Sequence, residues 1–216
     1  MKKPSHYSIK GLYAVTPDVL EVDLLCEKVR LTLEGGASMV QYRNKFADKN
    51  LQLQQSTALL ALCRSYDVPL IINDHLDLCA QIDADGLHIG ASDCDLHAAR
   101  RLLGPDKIIG ASCYNWVDLA VQAESAGASY VAFGACFTSE TKPDAVHAPL
   151  SIFKEAKQKV SLPLVGIGGI HIDNAKLVIE AGADALAVIT DIFFDDDIRQ
   201  ISHRYTQLFQ STFKQT

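Results

Sequence analysis

The stretch EAGADALAVIT at residues 180–190 contains a helix end, a glycine and a short apolar run, in that order. A glycine directly after a helical segment is typical of a C-cap in the left-handed conformation. The apolar run at residues 185–189 has the length of a buried strand. This stretch therefore predicts a helix that turns tightly into a strand.

The same turn recurs at three other places in the chain. EGGAS at residues 34–38 and SAGAS at residues 125–129 each stand just before an apolar run, and DADG at residues 83–86 is a looser fourth copy. A repeated helix-to-strand turn is the pattern expected of successive supersecondary units. The repeats therefore favour a closed barrel over an open sheet.

Short apolar runs occur eight times, and most are separated by 10 to 16 residues with helical spacing. Alternation of strand and helix predicts parallel strands covered by helices. A last helix is expected at residues 195–213. The sequence predicts one domain over residues 1–216, a (β/α)8 TIM barrel. Its predicted strands are residues 12–15, 39–42, 70–72, 87–89, 108–109, 130–133, 164–167 and 185–189.

Composition limits the class of partner. The formal net charge of −6 argues against nucleic acid, because binders of nucleic acid usually carry a basic surface. The six cysteines form no C-x-x-C pair, which favours reduced thiols without a catalytic role. Neither a signal segment nor an apolar run of about 18 residues is present. We expect a cytoplasmic protein without a membrane partner, and the sequence is compatible with a homo-oligomer.

In a barrel of this kind the functional residues follow the strands, at the C-terminal face. Strand 2 runs into QYRNK at residues 41–45. Because side chains alternate along a strand, Gln41, Arg43 and Lys45 are expected on one side, with Tyr42 and Asn44 on the other. The two cations predict an anion site, although they could equally be solvated loop charges.

Two aspartates follow neighbouring strands. Asp74 comes after strand 3, next to Asn73, and Asp93 comes after strand 4. Two carboxylates without a full protein cage suit Mg²⁺, which keeps waters and substrate phosphate oxygens as ligands. The alternative is structural: Asp74 could cap the next turn, and Asp93 or Asp95 the next helix.

LVGIGGI at residues 164–170 is a strand that runs into glycines. The loops after strands 7 and 8 are the usual phosphate site of a barrel, and glycine lets backbone N–H groups approach a phosphate. Thr190 would add a hydroxyl. The alternative is a tight turn without a ligand. His88 is expected to be a core histidine rather than a base, and Trp116 is expected to pack in the core.

Taken in order, six segments make the chain resemble the thiamine-phosphate synthase family over nearly its whole length. They are QYRNK (41–45), IIND (71–74), GLHIG (86–90), GAS (110–112), TKPD (141–144) and GIGGI (166–170).

This resemblance implies transfer of a hydroxymethylpyrimidine group from its diphosphate to the nitrogen of a thiazole phosphate. Arg43, Lys45, Ser112 and Lys142 are then expected to be catalytic, and Mg²⁺ to be held by Asp74 and Asp93. The resemblance also implies contacts to the two small-molecule substrates. The expected substrate-binding residues are Gln41, Tyr42, Arg43, Asn44, Lys45, Asn73, Ser112, Ser139, Glu140, Thr141, Lys142, Gly169, Ile189 and Thr190.

The chain departs from the family pattern beside the predicted metal ligands. Ala91 stands where many members have Gln, and His75 where they have Arg. Two other activities remain open: a thiazole tautomerase-like barrel, which needs no diphosphate site, and a non-catalytic thiamine-pathway binding protein.

Overall fold

Eight parallel strands close into a barrel in the computed structural model, which describes residues 7–90, 95–138 and 146–212. The barrel closes between the first and last strands, where Gly11 pairs with Ala185 and Ala14 with Val188. The predicted (β/α)8 architecture is confirmed. The strands are β1 (Gly11–Val15), β2 (Met39–Tyr42), β3 (Leu70–Asn73), β4 (Gly86–Ile89), β5 (Ile108–Tyr114), β6 (Tyr130–Phe133), β7 (Leu164–Ile167) and β8 (Ala185–Val188).

Helices follow every strand and cover the barrel. Two helices lie after β8: a short one at Thr190–Phe193 and the long final helix at Ile198–Thr212. The final helix begins three residues later than the sequence predicts. It packs on the helices at Val22–Glu34 and Ile172–Ala181, next to the closure of the barrel. The helices are α1 (Val22–Glu34), α2 (Lys49–Ser65), α3 (Leu76–Gln81), α4 (Leu96–Leu103), α5 (Val117–Ser125), α6 (Ser151–Ala156), α7 (Ile172–Ala181), α8 (Thr190–Phe193) and α9 (Ile198–Thr212).

β5 is longer than predicted. It continues through Ser112 to Tyr114, and its register against β6 shifts between these two residues. The strongly apolar residues stop at Ile109, because Gly110, Ala111 and the polar Ser112 follow, while the strand pairing goes on. Ser112 therefore lies inside the strand rather than after it.

The repeated turn has the predicted conformation. Gly182 ends α7 with φ 118°, and Gly36 and Gly127 also have positive φ in the matching copies. In the looser copy the left-handed residue is Asp83, with φ 55°, while Gly86 lies in β4. There a Cβ on Gly86 would lie 2.3 Å from the Ile108 carbonyl oxygen, so this glycine permits close strand pairing instead.

Each copy also ties two strands together at their amino ends. The residue before each even-numbered strand uses its side chain to hydrogen-bond a backbone group of the preceding strand. Backbone groups at strand ends need such partners when they are buried. The pairs are Ser38 with Leu12 (3.0 Å), Asp85 with Leu70 (3.0 Å), Ser129 with Ile109 (3.1 Å) and Asp184 with Leu164 (2.9 Å).

The apolar residues form two layers. The larger cluster lies between strands and helices, and the smaller one fills the barrel with side chains such as Val15, Met39, Ile71 and Val165. A filled interior leaves no pore, so ligands must bind at a rim. Two interior members are tyrosines rather than hydrocarbons, Tyr13 and Tyr130.

Gly182→Ala tests the turn. The nearest atom to a new Cβ lies 3.4 Å away, so the cost comes from the left-handed backbone and not from a clash. We expect a loss of about 1–2 kcal/mol in the free energy of unfolding, measured by chemical denaturation. Ser125→Ala, at the start of a matching copy, should change stability by less than about 0.5 kcal/mol. Equal losses in the two variants would contradict the assignment.

Candidate active site

A cavity of about 300 Å³ opens at the carboxyl ends of β2 and β3. It brings together residues that the sequence separates by about 30 positions, because parallel neighbours end at the same rim. The predicted residues Arg43, Lys45, Asn73 and Asp74 all line it. The full lining is Tyr42, Arg43, Asn44, Lys45, Gln52, Asn73, Asp74 and His75.

The loop after β1 holds the backbone of the segment that carries the two cations, Arg43 and Lys45. The Asp18 carboxylate accepts a hydrogen bond from the Lys45 backbone N–H at 2.7 Å and lies 3.6 Å from the Arg43 guanidinium. The fully buried Thr16 hydroxyl donates to the carbonyl of Arg43 and accepts from its N–H, both at 2.9 Å. The Lys45 side chain is exposed. The segment is thus held by its backbone, which leaves the lysine able to reach a ligand.

Tyr42 and Asn44 point the other way, as alternation predicts. The Tyr42 hydroxyl donates to Gln55 Oε1 at 2.8 Å, and Asn44 Nδ2 donates to the Val19 carbonyl at 2.8 Å. Their polar groups serve the packing of the β2 loop against α2. Their role as substrate contacts remains a prediction, although parts of both residues line the cavity.

Asp74 occupies a left-handed backbone conformation, with φ 60°, immediately after β3. Asn73 Nδ2 donates to the Asp74 carboxylate at 2.6 Å. His75 lies beside Gln52, with 3.3 Å between the two side-chain nitrogens. The Asp74 carboxylate therefore lies at the cavity wall, and the N-cap position of α3 is taken by His75.

Five polar side chains, four of them buried and Ser112 partly exposed, form a continuous hydrogen-bonded chain through the barrel interior, here called the relay. It runs from Gln41 to Tyr13 (2.7 Å), Tyr130 (2.8 Å), His88 (2.9 Å) and Ser112 (2.9 Å). Gln41 and Ser112, which are both predicted substrate contacts, lie at the two ends of the relay. His88 is a buried core histidine, as predicted, with both ring nitrogens within hydrogen-bond distance of these hydroxyls.

The glycines after β7 permit a close approach of two loops. Gly168 and Gly169 have φ 92° and 64°, and a Cβ on Gly169 would lie 2.6 Å from the Phe137 carbonyl oxygen. Asn174 Nδ2 donates to the Gly169 carbonyl at 3.0 Å, which joins this loop to α7. Glycine at residue 169 is thus required by the packing of the loops, and this fits either a phosphate site or a tight turn.

Thr190 is exposed and begins α8, directly after Ile189. Asp191 holds this helix in position: its carboxylate accepts from the Ile172 N–H at 3.0 Å and from the Tyr205 hydroxyl at 2.6 Å. A short extra helix after strand 8 is the usual barrel phosphate site.

Several predicted residues lie outside the described part of the chain. They are Asp93, Ser139, Glu140, Thr141 and Lys142. The sequence left open whether Asp93 or Asp95 caps the helix after strand 4. The Asp95 side chain caps α4 by accepting from the His97 N–H at 3.0 Å. The expectation for Trp116 is wrong: the residue is 63% exposed and lies in the turn between β5 and α5, as the N-cap residue of that helix.

Two of the described cysteines, Cys113 and Cys136, lie toward the rim. Burial raises the pKa of the Cys113 thiol to about 12 and that of Cys136 to about 11. A thiol with such a pKa is a poor nucleophile, because the thiolate is the reactive form. For these two residues the pKa therefore agrees with the expected lack of a catalytic role.

Sequence reasoning missed the residues that support the site. Asp18 and Thr16 follow β1, where the pattern shows only ordinary turn residues, and Gln55 lies on a helix face. Their contacts span 11 to 27 positions, and no short motif signals such pairs.

A closed barrel with cations, an amide and a carboxylate at one rim defines an enzyme of the (β/α)8 class. The family model described as thiamine monophosphate synthase matches residues 12–192. The chain belongs to this family, and the predicted family and enzyme class are confirmed.

Similar proteins cover nearly the whole chain. A thiamine-phosphate synthase of Nitrosomonas eutropha is 49% identical over 93% of this chain and 95% of its own length. One of Methylobacillus flagellatus is 51% identical, over 97% and 100%. The solved thiamine phosphate pyrophosphorylase from Pyrococcus furiosus has a TM-score of 0.84 at 33% identity, covering 93% of this chain and 96% of that one.

Among the described residues, every helix is too short or too polar to cross a membrane.

Thr16→Val tests how the cationic segment is held. Valine has the same shape but leaves two buried backbone groups of Arg43 without a side-chain partner, which should cost about 1–3 kcal/mol of unfolding free energy. Thr16→Ser keeps the hydroxyl and should recover most of that loss. Thermal and chemical denaturation measure both. A Thr16→Ser variant as unstable as Thr16→Val would show that the methyl group, and not the hydroxyl, matters.

Proposed function

We propose that this protein joins hydroxymethylpyrimidine diphosphate to thiazole phosphate, or its carboxylated form, giving thiamine phosphate and diphosphate. The single observation that carries the proposal is the cavity at the ends of β2 and β3, which two cations, an amide and a carboxylate line together. Family membership supplies the reaction, and this chain's own residues supply a place for it.

The diphosphate is expected to bind at the cationic segment. Arg43 and Lys45 bring positive charge to one wall of a protein whose net charge is −6, so attraction of an anion must be local. Asn73 adds an amide beside them, and Ser112 and Gln41 add polar groups from the barrel interior. Lys142 is proposed as a further cation on the same leaving group.

The residues of the rim fit Mg²⁺. Asp74 offers a carboxylate beside the amide of Asn73, and both are hard oxygen donors of the kind that Mg²⁺ prefers. Among the described residues no group of three or more histidines, cysteines, aspartates or glutamates could hold a metal ion. That agrees with an ion that takes one or two carboxylates and completes its shell with water and phosphate oxygens. We propose Asp74 and Asp93 as its protein ligands; when bound, the ion would neutralise charge on the diphosphate.

The reaction needs no protein nucleophile. The bond between the pyrimidine methylene carbon and the diphosphate oxygen breaks, and its electrons leave with the diphosphate. The thiazole nitrogen then forms the new bond with its lone pair. Arg43 and Lys45 stabilise the departing charge, and the site holds the acceptor close to the methylene carbon.

The thiazole phosphate is assigned to the neighbouring part of the rim. Its proposed contacts from the loops after β7 and β8 are Gly169, Ile189 and Thr190. We propose Ser139, Glu140 and Thr141 as further contacts. The proposal agrees with the usual position of a phosphate in this fold.

The direct test supplies both substrates and Mg²⁺ to the purified protein. We expect thiamine phosphate, identified by mass spectrometry, together with one equivalent of diphosphate. Thiazole isomerisation without diphosphate release would favour the tautomerase alternative, and binding of thiamine compounds without turnover would favour the binding protein.

Asp74→Asn tests the metal ligand. Asparagine also tolerates a left-handed backbone, so the local structure should be kept while the charge is removed. We expect kcat/KM in Mg²⁺ to fall on the order of 100-fold, the equivalent of about 3 kcal/mol of lost charge stabilisation. Asp77→Asn, three residues away on the exposed side of α3, is the matched control and should keep full activity. Unchanged turnover by Asp74→Asn would refute the assignment.

A further inference from the structure

The relay is an unusual filling for a barrel. Branched hydrocarbons dominate the interior of this fold, and buried polar groups cost free energy unless they are hydrogen-bonded. Here Tyr13 and Tyr130 are at most 1% exposed, and Gln41 and His88 at most 8%. β5 leaves room for one of the rings, because a Cβ on Gly110 would lie 2.0 Å from Tyr130 Cζ.

Ring packing fixes the geometry of the relay. The two tyrosine rings meet edge to face with centroids 5.9 Å apart, and His88 stacks on Tyr130 at 5.6 Å and 23°. Aromatic pairs in these arrangements are favourable in their own right. The hydroxyls and the imidazole therefore have little freedom to exchange partners.

One order gives every hydroxyl hydrogen of the relay an acceptor within it. The Gln41 amide donates to Tyr13, and the Tyr13 hydrogen then finds its acceptor in the Tyr130 oxygen. The Tyr130 hydrogen in turn finds its acceptor in His88 Nδ1, which in this order carries no hydrogen. Burial raises the pKa of both phenols far above neutrality, so each keeps the hydrogen that it passes on.

The order ends at Ser112. A neutral imidazole with a bare Nδ1 has its hydrogen on Nε2, and this hydrogen is donated to Ser112 Oγ. The serine oxygen then accepts the hydrogen of His88 Nε2 through one of its two lone pairs. Its own hydrogen points away from His88, and Ser112 lies partly exposed near the rim.

We propose that the two tyrosines and His88 are positioning residues, which hold the Ser112 hydroxyl as a hydrogen-bond donor to an acceptor atom of the pyrimidine diphosphate. The inference rests on the proposed function. It gives the barrel interior a part in substrate recognition, since a free serine hydroxyl would rotate between donor and acceptor states.

Tyr130→Phe breaks the relay in its middle while keeping the ring. We expect kcat/KM for the pyrimidine diphosphate to fall about tenfold, the value of one ordered hydrogen bond, with little change in KM for the thiazole phosphate. Ile108→Val, in the same interior but outside the relay, is the control for loosened packing and should keep its activity.

Coupling to Ser112 separates a positioning role from a purely structural one. If Tyr130 acts through Ser112, the double variant Tyr130→Phe with Ser112→Ala should be no slower than Ser112→Ala alone. Losses that multiply in the double variant would overturn the proposal.

The hydrogen order has its own measurement. Two-bond ¹H–¹⁵N correlation spectra of the imidazoles, with His88 assigned from its absence in His88→Gln, should show a proton on Nε2 and a bare Nδ1. A proton on Nδ1, or on both nitrogens, would overturn the order. This spectrum is recorded without substrates. It therefore judges the relay even if the wild-type protein made no thiamine phosphate, a result that would refute the proposed function instead.

Discussion

Pairing of β1 with β8 closes the barrel, and the position of every functional side chain depends on this closure. Tyr13 lies opposite Ala187, and the backbone N–H of Gly11 donates to the Asp184 carbonyl at 3.0 Å. Because all eight strands are parallel, closure turns eight separate chain segments into one circular rim. Residues from β2 and β3 then share a cavity, and residues from β1, β2, β4, β5 and β6 share an interior.

Small residues at the amino ends of the strands make this closure possible. The side chains of Ser38, Asp85, Ser129 and Asp184 each bond the strand before their own, and left-handed residues turn the helices toward them. Stability and chemistry are thus divided between the two ends of the barrel. The amino ends carry the repeated structural bonds, and the carboxyl ends carry the cations, Asp74 and the glycine loops.

The interior connects these two functions. A hydrocarbon core would have filled the same volume, but it would have left Gln41 and Ser112 without fixed partners. The stacked pair of His88 and Tyr130 gives both packing and hydrogen bonds. Gly110 leaves the space that the Tyr130 ring occupies, so a residue in β5 is explained by a residue in β6.

Much of the fold could be predicted from the sequence, because its signals are local. The apolar runs of β2, β6 and β7 give their bounds directly, and the EAGAD repeat gives the turn. β5 exceeded its predicted length because strand pairing, and not hydrophobicity, carries it through Ser112. An aromatic residue near a strand end is expected to pack in the core, whereas Trp116 lies exposed in the turn before α5, a position that the packing of the helix on the barrel decides.

The site divides in the same way. The sequence by itself determined the parallel barrel, the family and the residue types at the strand ends, since these depend on periodicity and on short motifs. Only the tertiary structure decided that Asp18 and Thr16 hold the cationic segment, and that Tyr13, Tyr130 and His88 link Gln41 to Ser112. Those contacts join residues 24 to 117 positions apart, and their distances follow from barrel closure, on which local sequence carries no information.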